Sequence, residues 1–328
     1  QSGADFAVTT ELAISGYPPR DLLLQPDFVK TCHQVASTLQ SEIPVLVGTP
    51  VPPKDDRSLP GNGVVRAGDS VREITRKQLL PTYDVFDEAR YFEADDRPGI
   101  ARTIAGLDIG VTICEDAWQH CGATPNDYDS DPISQIVEWG RQGVVLDATV
   151  NLSASPYHAN KSEIRIAVAR SAASSLNHPF LLANQVGGND DLLFDGRSVI
   201  AWPDGTVVVA PAWSEGVLLS DLSNPEGCDW LGDGEVTILR PGQELEENDD
   251  DLLDAIIIGL SDYCRKSGIS KIVLGLSGGI DSALAACVAS AAVGPTNVTG
   301  ISMPSKHSSQ HSIDDAKATA AALGIEFS

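Results

Sequence analysis

Short apolar runs alternate with amphipathic stretches along most of the 328-residue chain. An amphipathic stretch at 26–40 precedes an apolar run at 44–49, and a second stretch at 132–142 precedes the run at 144–149. Apolar positions at helical spacing, followed by short apolar runs, are typical of helices that alternate with buried strands. The pattern therefore predicts an α/β fold.

The pattern changes near residue 198, where strand-like runs replace the helical periodicity. Runs at 198–202 and 206–210 flank the turn residues Pro203-Asp204-Gly205. An aspartate–glycine pair between two such runs favours a tight turn. We predict an antiparallel hairpin here.

Residues 223–248 contain prolines, glycines and part of an acidic run, without sustained helical or strand periodicity. We interpret this segment as a linker between a first domain at 1–222 and a second domain at 249–328. Acidic residues lie at the start of the stretch 249–266 and basic residues at its end, which matches the dipole of a helix.

The second domain reads as a strand–helix–strand unit followed by another helix. Apolar runs at 271–276 and 298–303 alternate with helical stretches at 281–293 and 312–323. This order predicts a parallel sheet of the Rossmann-like kind. The sequence stops soon afterwards, and it opens directly on an apolar, strand-like run at 4–9, so we expect a chain that is truncated at both ends.

Composition narrows the class of protein further. With 42% hydrophobic and 21% charged residues, the chain is globular, which excludes fibrous and wholly disordered classes. A net charge of -24 disfavours nucleic acid and anionic lipid as partners, because their phosphates would be repelled. The apolar runs are far shorter than the ~18 residues of a membrane span, so no membrane partner is expected. Six scattered cysteines form no disulfide scaffold and no CxxC pattern, which predicts a cytoplasmic protein.

Chemically useful side chains follow three of the predicted strands. Glu11 follows the run at 4–9, Lys77 follows an alternating segment, and Cys114 follows the run at 107–113. A carboxylate, an ammonium and a thiol at strand ends can act as base, oxyanion stabiliser and nucleophile. The alternative for Cys114 taken alone is a small buried hydrophobic residue.

The segments around these residues are distinctive and occur in a fixed order. They are ELAISGYPPRDL from residue 11, RKQLLPTYDVFDEARYF from 76, TICEDAW from 112 and NLSASPY from 151. From residue 1 to about 221 the chain resembles the carbon–nitrogen hydrolase (nitrilase-like) glutaminase domain of glutamine-dependent NAD synthetases. The resemblance implies an α-β-β-α sandwich, here lacking its first strand and helix.

The resemblance also implies catalytic roles. Glu11 would be the general base, Cys114 the nucleophile that forms a glutamyl thioester while ammonia leaves, and Lys77 the cation that faces the oxyanion. The backbone N–H after Cys114 would be a second donor. Glu88 would be a supporting carboxylate, and its alternative is an ordinary surface glutamate.

Four further positions match the family's glutamine-binding residues, namely Tyr83, Glu115, Ser155 and Lys161. Carboxylate and hydroxyl groups suit an α-ammonium, and a cation suits an α-carboxylate. Taken singly, the tyrosine could be a surface aromatic, the serine a turn residue and the lysine a solvated residue at a helix start. The segments 184–190 and 194–196 also match, and we interpret them as structural turns that line the site.

A second candidate site follows the strand of the second domain. It comprises Gly275, Leu276, Ser277, Gly278, Gly279, Ile280, Asp281 and Ser282. Paired glycines between a strand and a helix expose backbone N–H groups, which favours an anion, although a tight capped turn is the alternative. The SGGIDS motif resembles the pyrophosphate-binding loop of the ATP pyrophosphatase superfamily, which implies ATP as substrate and Mg²⁺ held by Asp281. The segment at 303–309 narrows the resemblance to NAD synthetases.

Two other groupings raise the question of a metal site. His307 and His311 are four residues apart, and Cys114 lies close in sequence to His120 and Cys121. The histidine pair has no helical support before residue 312, and the cysteine has another role. We favour no metal site in either grouping.

The resemblance implies that glutamine hydrolysis supplies ammonia for the ATP-dependent amidation of deamido-NAD through an adenylate. L-Glutamine, ATP and deamido-NAD would be the small-molecule partners, without a tightly bound organic cofactor, and the full-length protein would form a homo-oligomer. One alternative is a glutamine-dependent ligase of another ATP pyrophosphatase branch. The other is a non-catalytic glutamine or nucleotide sensor.

Overall fold

The computed structural model describes residues 3–246, 249–303 and 309–328. The chain divides into two compact units, Gln1–Val186 with Phe194–Glu246, and Gly187–Leu193 with Glu247–Ser328.

The first unit is built mainly of short strands, with three α-helices beside them. The helices are α1 (Pro26–Ser37), α2 (Pro132–Arg141) and α3 (Lys161–Leu176). The strands are β1 (Ala7–Val8), β2 (Val45–Val51), β3 (Gly61–Ala67), β4 (Arg72–Arg76), β5 (Gly99–Ile104), β6 (Leu107–Ile113), β7 (Ala148–Ser153), β8 (Phe180–Asn184), β9 (Val186–Asn189), β10 (Leu192–Asp195), β11 (Val199–Ala201), β12 (Val207–Val209), β13 (Gly216–Asp221), β14 (Asn224–Gly232) and β15 (Thr237–Leu239). Most of β9 and the first residues of β10 group with the second unit.

These strands form two principal sheets. One has the order β1-β2-β3-β4, and the other has the order β15-β12-β11-β8-β7-β6-β5. Strands β6, β7 and β8 are parallel, so their carboxyl ends meet at one edge of the larger sheet. Two further sheets have two strands each, and they pair β9 with β10 and β13 with β14.

Three apolar layers hold the unit together. Side chains such as Leu46 and Val64 of the smaller sheet meet Val111 and Val150 of the larger one. Helices α2 and α3 cover the other face of the larger sheet, where Ile133 and other buried residues pack, and α1 covers the smaller sheet. The predicted α-β-β-α sandwich is therefore confirmed.

The predicted hairpin is also confirmed, since Val199–Ala201 pairs antiparallel with Val207–Val209. The segment 223–248, predicted as a linker, contains β14 and β15 among its described residues, and β15 pairs with β12. A strand of three residues is too short to show a period, and pairing with its neighbour stabilises it. The limits of the two domains stay a prediction.

Two predicted strands differ in extent. The run at 144–149 becomes a strand only from Ala148, and Val145 is 77% exposed. The run at 4–9 pairs only at Ala7–Val8, which is half-buried. Apolar composition alone did not locate the first paired residue in either case.

The second unit contains alternating helices and parallel strands. They are α4 (Asp249–Lys266), β16 (Ile272–Gly275), α5 (Ile280–Val293), β17 (Val298–Ile301), α6 (Gln310–Leu323) and β18 (Glu326–Phe327). The sheet has the order β16-β17-β18, and both pairs are parallel. Leu276, Ala286 and Ala316 are among the residues of its core. This confirms the predicted α/β unit with a parallel sheet.

Across the described residues, we find no helix that is both long enough and apolar enough to cross a bilayer.

Candidate active site

The structure brings the three strand-end side chains of the first unit together. Glu11, Lys77 and Cys114 are 0%, 1% and 6% exposed. The Lys77 Nζ donates to Glu11 Oε1 at 2.8 Å, across 66 residues of sequence. The Cys114 thiol lies close enough that both charges shift its pKa.

Three donors hold the carboxylate of Glu11. Asn62 Nδ2 donates to Oε1 at 2.7 Å beside the lysine, and the backbone N–H of Ala154 donates to Oε2 at 2.9 Å. The turn that carries Glu11 packs against Gly48, where a Cβ would lie 2.3 Å from the Thr10 carbonyl oxygen. Only glycine permits this close approach, so β2 helps to fix the position of the carboxylate.

Lys77 bridges two buried carboxylates. Its Nζ also donates to Glu88 Oε1 at 2.7 Å, and Tyr17 Oη donates to the same oxygen at 2.7 Å. The alternative of a surface glutamate at 88 is therefore wrong. Burial by itself favours a neutral amine, but Glu11 and Glu88 outweigh it and raise the pKa of Lys77 well above its ordinary value. Burial raises the pKa of Glu88 to about 7, although Lys77 opposes this shift.

Cys114 begins a 3-10 turn, Cys114–Ala117, directly after β6, and its φ of 44° is left-handed. Such a conformation is uncommon for a residue with a Cβ and occurs at turns that hold a reactive group. Burial and the Glu11 carboxylate raise the pKa of Cys114 well above its ordinary value, while Lys77 opposes them. The resting group is thus a thiol, and a base must remove its proton before it can attack.

Asp116 is a residue whose role the sequence did not indicate. Its Oδ1 accepts the backbone N–H groups of Gln78 and Leu79 at 3.0 and 2.9 Å, and its Oδ2 accepts that of Ile113 at 3.0 Å. Burial raises the pKa of Asp116 to about 7 against these hydrogen bonds. The carboxylate thereby ties the segment after Lys77 to the strand that ends at the cysteine.

The predicted glutamine-binding residues lie around the same turn. Tyr83 Oη donates to Glu115 Oε1 at 2.7 Å, and the backbone N–H of Ser155 donates to Asn184 Oδ1 at 2.9 Å. Glu115 and Ser155 are buried, and the tyrosine is half-buried. The tyrosine is therefore not a fully exposed surface aromatic, and the glutamine-binding roles of these residues stay predictions.

Lys161 begins α3, and its ammonium lies over the ring of Trp118, 4.3 Å from the centroid. Burial lowers the pKa of Lys161 and Arg165 lowers it further, whereas Glu115 opposes the shift. The lysine and the glutamate are therefore close enough to interact. A cation and an anion near the same turn can bind the two charged groups of an α-amino acid.

In the second unit, the predicted phosphate loop lies between β16 and α5. Ser282 Oγ accepts the N–H of Ser277 at 3.2 Å and donates to the Gly279 carbonyl at 2.9 Å. Gly278 has a φ of +81°, and a Cβ there would lie 2.1 Å from the Ser312 carbonyl oxygen. The side chain of Leu276 is buried in the core, so this residue offers only its backbone to a ligand.

No group of three or more metal-binding side chains occurs in the part of the chain that the structure describes. His120 bonds through its ring nitrogens to Asp131 and Ser175, both at 2.8 Å. His311 pairs with Asp315 at 2.6 Å, whereas His307 lies outside the described residues.

The geometry and the comparisons define the class of protein. A family model for carbon–nitrogen hydrolases matches residues 1–227, and a model for NAD synthases matches residues 252–328. The chain belongs to the carbon–nitrogen hydrolase family. Its predicted resemblance to glutamine-dependent NAD(+) synthetases is also confirmed, because both family models occur in one chain and the relatives carry this name.

Two curated relatives, both named glutamine-dependent NAD(+) synthetase, illustrate the similarity. The one from Synechocystis is 40% identical over 338 residues, which cover 98% of this chain and 58% of the relative. The one from Aquifex aeolicus is 38% identical over 348 residues, with 97% and 58% covered. The chain thus spans little more than half the length of these relatives.

A solved structure agrees with the fold. The glutamine-dependent NAD+ synthetase from Acinetobacter baumannii, in complex with adenosine diphosphate, has a TM-score of 0.79 to this chain at 29% identity. The similarity covers 99% of this chain and 57% of that one.

Proposed function

We propose that the first unit hydrolyses glutamine and that the chain is part of a glutamine-dependent NAD(+) synthetase. The observation that carries this proposal is the buried Glu11–Lys77 ion pair beside the thiol of Cys114. A burial this complete is costly for charges unless they are paired, and here they are paired next to a potential nucleophile. A protein that only binds glutamine has no need of that arrangement.

The first half-reaction forms a thioester. Glu11 removes the proton of Cys114, and the sulfur attacks the carboxamide carbon of glutamine. The Lys77 ammonium and the backbone N–H of Glu115 stabilise the oxyanion. When the intermediate collapses, the carbon–nitrogen bond breaks, and the amine takes the proton from Glu11 and leaves as ammonia.

The second half-reaction releases glutamate. Glu11 removes a proton from water, and the hydroxide oxygen attacks the thioester carbon. The carbon–sulfur bond then breaks, and the proton returns to the sulfur. Glutamine and water are thus converted to glutamate and ammonia, and the site regains its starting protonation.

Recognition of glutamine uses the residues around the turn. Glu115, supported by Tyr83, binds the α-ammonium, and Lys161 binds the α-carboxylate. Ser155, in the chain between β7 and α3, would add a hydroxyl to this recognition. Selection for a free amino acid follows, because an amide without these charges leaves a buried carboxylate and a cation unpaired.

The second unit would contribute the start of an ATP site, in the loop Gly275 to Ser282. Asp281 is exposed in the first turn of α5, close in sequence to the hydroxyls of Ser277 and Ser282. This donor set fits Mg²⁺, which is commonly held by one or two carboxylates together with substrate phosphates. In the whole protein, ammonia would attack deamido-NAD after ATP has activated its carboxylate as an adenylate.

The test is covalent labelling. A glutamine-like electrophile should modify Cys114, excess glutamine should protect it, and peptide mapping by mass spectrometry should locate the label. Cys121, which is exposed, serves as the control, because its Cys121→Ala variant should keep both labelling and ammonia release. Folded protein without glutamine-protected labelling, or unchanged ammonia release in Cys114→Ala, would contradict the proposal.

A further inference from the structure

A second tyrosine reaches the carboxylate that we assign to the α-ammonium of glutamine. Tyr128 Oη donates to Glu115 Oε1 at 3.2 Å, and Tyr83 Oη donates to the same oxygen at 2.7 Å. Both tyrosines are half-buried, and the glutamate is buried. Tyr128 stands in none of the motifs that carried the resemblance, so the sequence alone did not single it out.

The backbone around Tyr128 is itself held in place. Gln119 Oε1 accepts the hydroxyl of Thr124 at 2.7 Å and the N–H of Tyr128 at 3.4 Å. Gln119 begins the 3-10 turn Gln119–Cys121, which follows the turn of the nucleophile in the chain. The tyrosine is thus positioned by the same stretch that carries Cys114 and Glu115.

In this contact, two tyrosine hydroxyls donate hydrogen bonds to one carboxylate oxygen. Burial, and then the Glu115 carboxylate, raise the pKa of both Tyr83 and Tyr128, so the hydroxyls remain protonated. Hydrogen bonds to an ionised acceptor are stronger than those between neutral groups. Two such bonds restrain the rotation of the carboxylate, because both end on Oε1.

We propose that Tyr128 is a positioning residue for amino-acid recognition, which holds Glu115 together with Tyr83 so that Oε2 meets the α-ammonium of the substrate. This inference rests on the proposed glutaminase function. It assigns substrate selection to a residue that does not touch the carboxamide. The rate of the chemical step therefore stays independent of Tyr128, whereas the affinity for an α-amino acid depends on it.

The test is Tyr128→Phe, which removes one hydroxyl and keeps the ring. Loss of a hydrogen bond to a charged group should raise the KM for glutamine about tenfold, while kcat stays within about twofold. The probe for specificity is 4-carbamoylbutanoate, which has the same carboxamide and lacks the α-ammonium. Its KM should not change, so the preference for glutamine over this amide should fall by about the same tenfold.

Tyr91→Phe is the matched control, because Tyr91 Oη also donates to a carboxylate, that of Asp21, at 2.8 Å in an exposed position. It should leave both KM values unchanged. An unchanged KM for glutamine in Tyr128→Phe, or an equal rise for both amides, would overturn the inference. Equilibrium binding of both amides to Cys114→Ala, with and without Tyr128→Phe, gives the same comparison without turnover. Absence of ammonia release by the unsubstituted protein would instead overturn the proposed function.

Discussion

The two candidate sites differ in the exposure of their charged groups to water. In the first unit, Glu11, Lys77 and Glu88 are buried, and their charges are paired with one another. In the second unit, Ser277 and Asp281 are exposed in a loop that is organised by hydroxyls and backbone groups. Chemistry on a carboxamide needs charges that act without screening by water, whereas a polyphosphate brings its own charge and needs donors that it can reach.

The two sites are therefore expected to respond differently when one group is removed. Removing one charge from the buried set leaves its partners unpaired, which affects both stability and catalysis. Removing one group from the loop leaves the rest in water, where the cost is small unless the backbone itself must change.

The largest effect is expected for Lys77→Met. It leaves the carboxylates of Glu11 and Glu88 buried without their cation, which should destabilise the first unit by about 3–5 kcal/mol. Ammonia release should fall about 10³-fold, because the oxyanion loses a charged donor. Denaturant unfolding and an ammonia assay measure the two losses.

The control for this variant is Lys54→Met. Lys54 pairs with Asp95 at 3.0 Å, but its side chain is 51% exposed, so the change should cost less than ~1 kcal/mol. Equal destabilisation by the two substitutions would break the distinction between buried and exposed charge.

The second-largest effect is expected at His178, which lies away from the reacting groups. It tests how burial of a single histidine changes stability with pH. The Nε2 of His178 lies 2.8 Å from Thr149 Oγ1, and burial lowers its pKa to about 4 from 6.5. Between these pH values the unfolded chain binds more protons than the folded one, so stability falls as the pH falls. The loss should approach about 3 kcal/mol near pH 4.

The measurement is the free energy of unfolding at pH 7 and pH 5 for the original chain and for His178→Gln. The variant cannot take up this proton, so its stability should fall less over the interval. A difference of the opposite sign would mean that the folded protein accommodates a charged imidazole.

The third effect concerns the backbone of the loop. Gly278→Ala places a Cβ 2.1 Å from the Ser312 carbonyl oxygen at a left-handed φ, and it should destabilise the second unit by at least about 2 kcal/mol. Gly268→Ala is matched to it, because its φ is +70° and nothing lies within 4 Å of the added atom. That change should cost only about 1 kcal/mol, and thermal or denaturant unfolding compares the two.

The smallest effect is expected for Ser282→Ala. Among the described residues, its hydroxyl bonds within the loop, so stability should change by about 0.5–1 kcal/mol. Binding of Mg-ATP should weaken up to about tenfold, because the loop loses a donor and part of its order. Calorimetric titration tests this, and an activity loss as large as that of Lys77→Met would contradict the proposed contrast.

Much of the fold could be predicted from the sequence, since helical periodicity and apolar runs depend on local order. The helices at 26–37, 132–141 and 280–293 lie close to their predicted places. The short strands differ, because β15 has three residues and exists through its pairing with β12. A partner distant in sequence decides such a strand, and no local pattern contains it.

The candidate site also has features that the sequence could predict and features that it could not. The strand-end positions of Glu11, Lys77 and Cys114 could be predicted, because Glu11 and Cys114 follow apolar runs and Lys77 follows an alternating segment. The groups that hold them could not, and Asn62 and Asp116 are the clearest cases. Asn62 contacts Glu11 within one sheet, across strands far apart in sequence, and Asp116 contacts Gln78 across the two packed sheets.

By itself the sequence determined the α/β class, the placement of reactive groups at strand ends, and the family to which its motifs belong. These follow from local periodicity and from the order of residues along the chain. The tertiary structure decided which carboxylates share Lys77, that Glu88 is buried, and that Tyr128 meets Glu115. Hydrogen bonds and desolvation depend on distances between segments far apart in sequence, and only folding sets those distances.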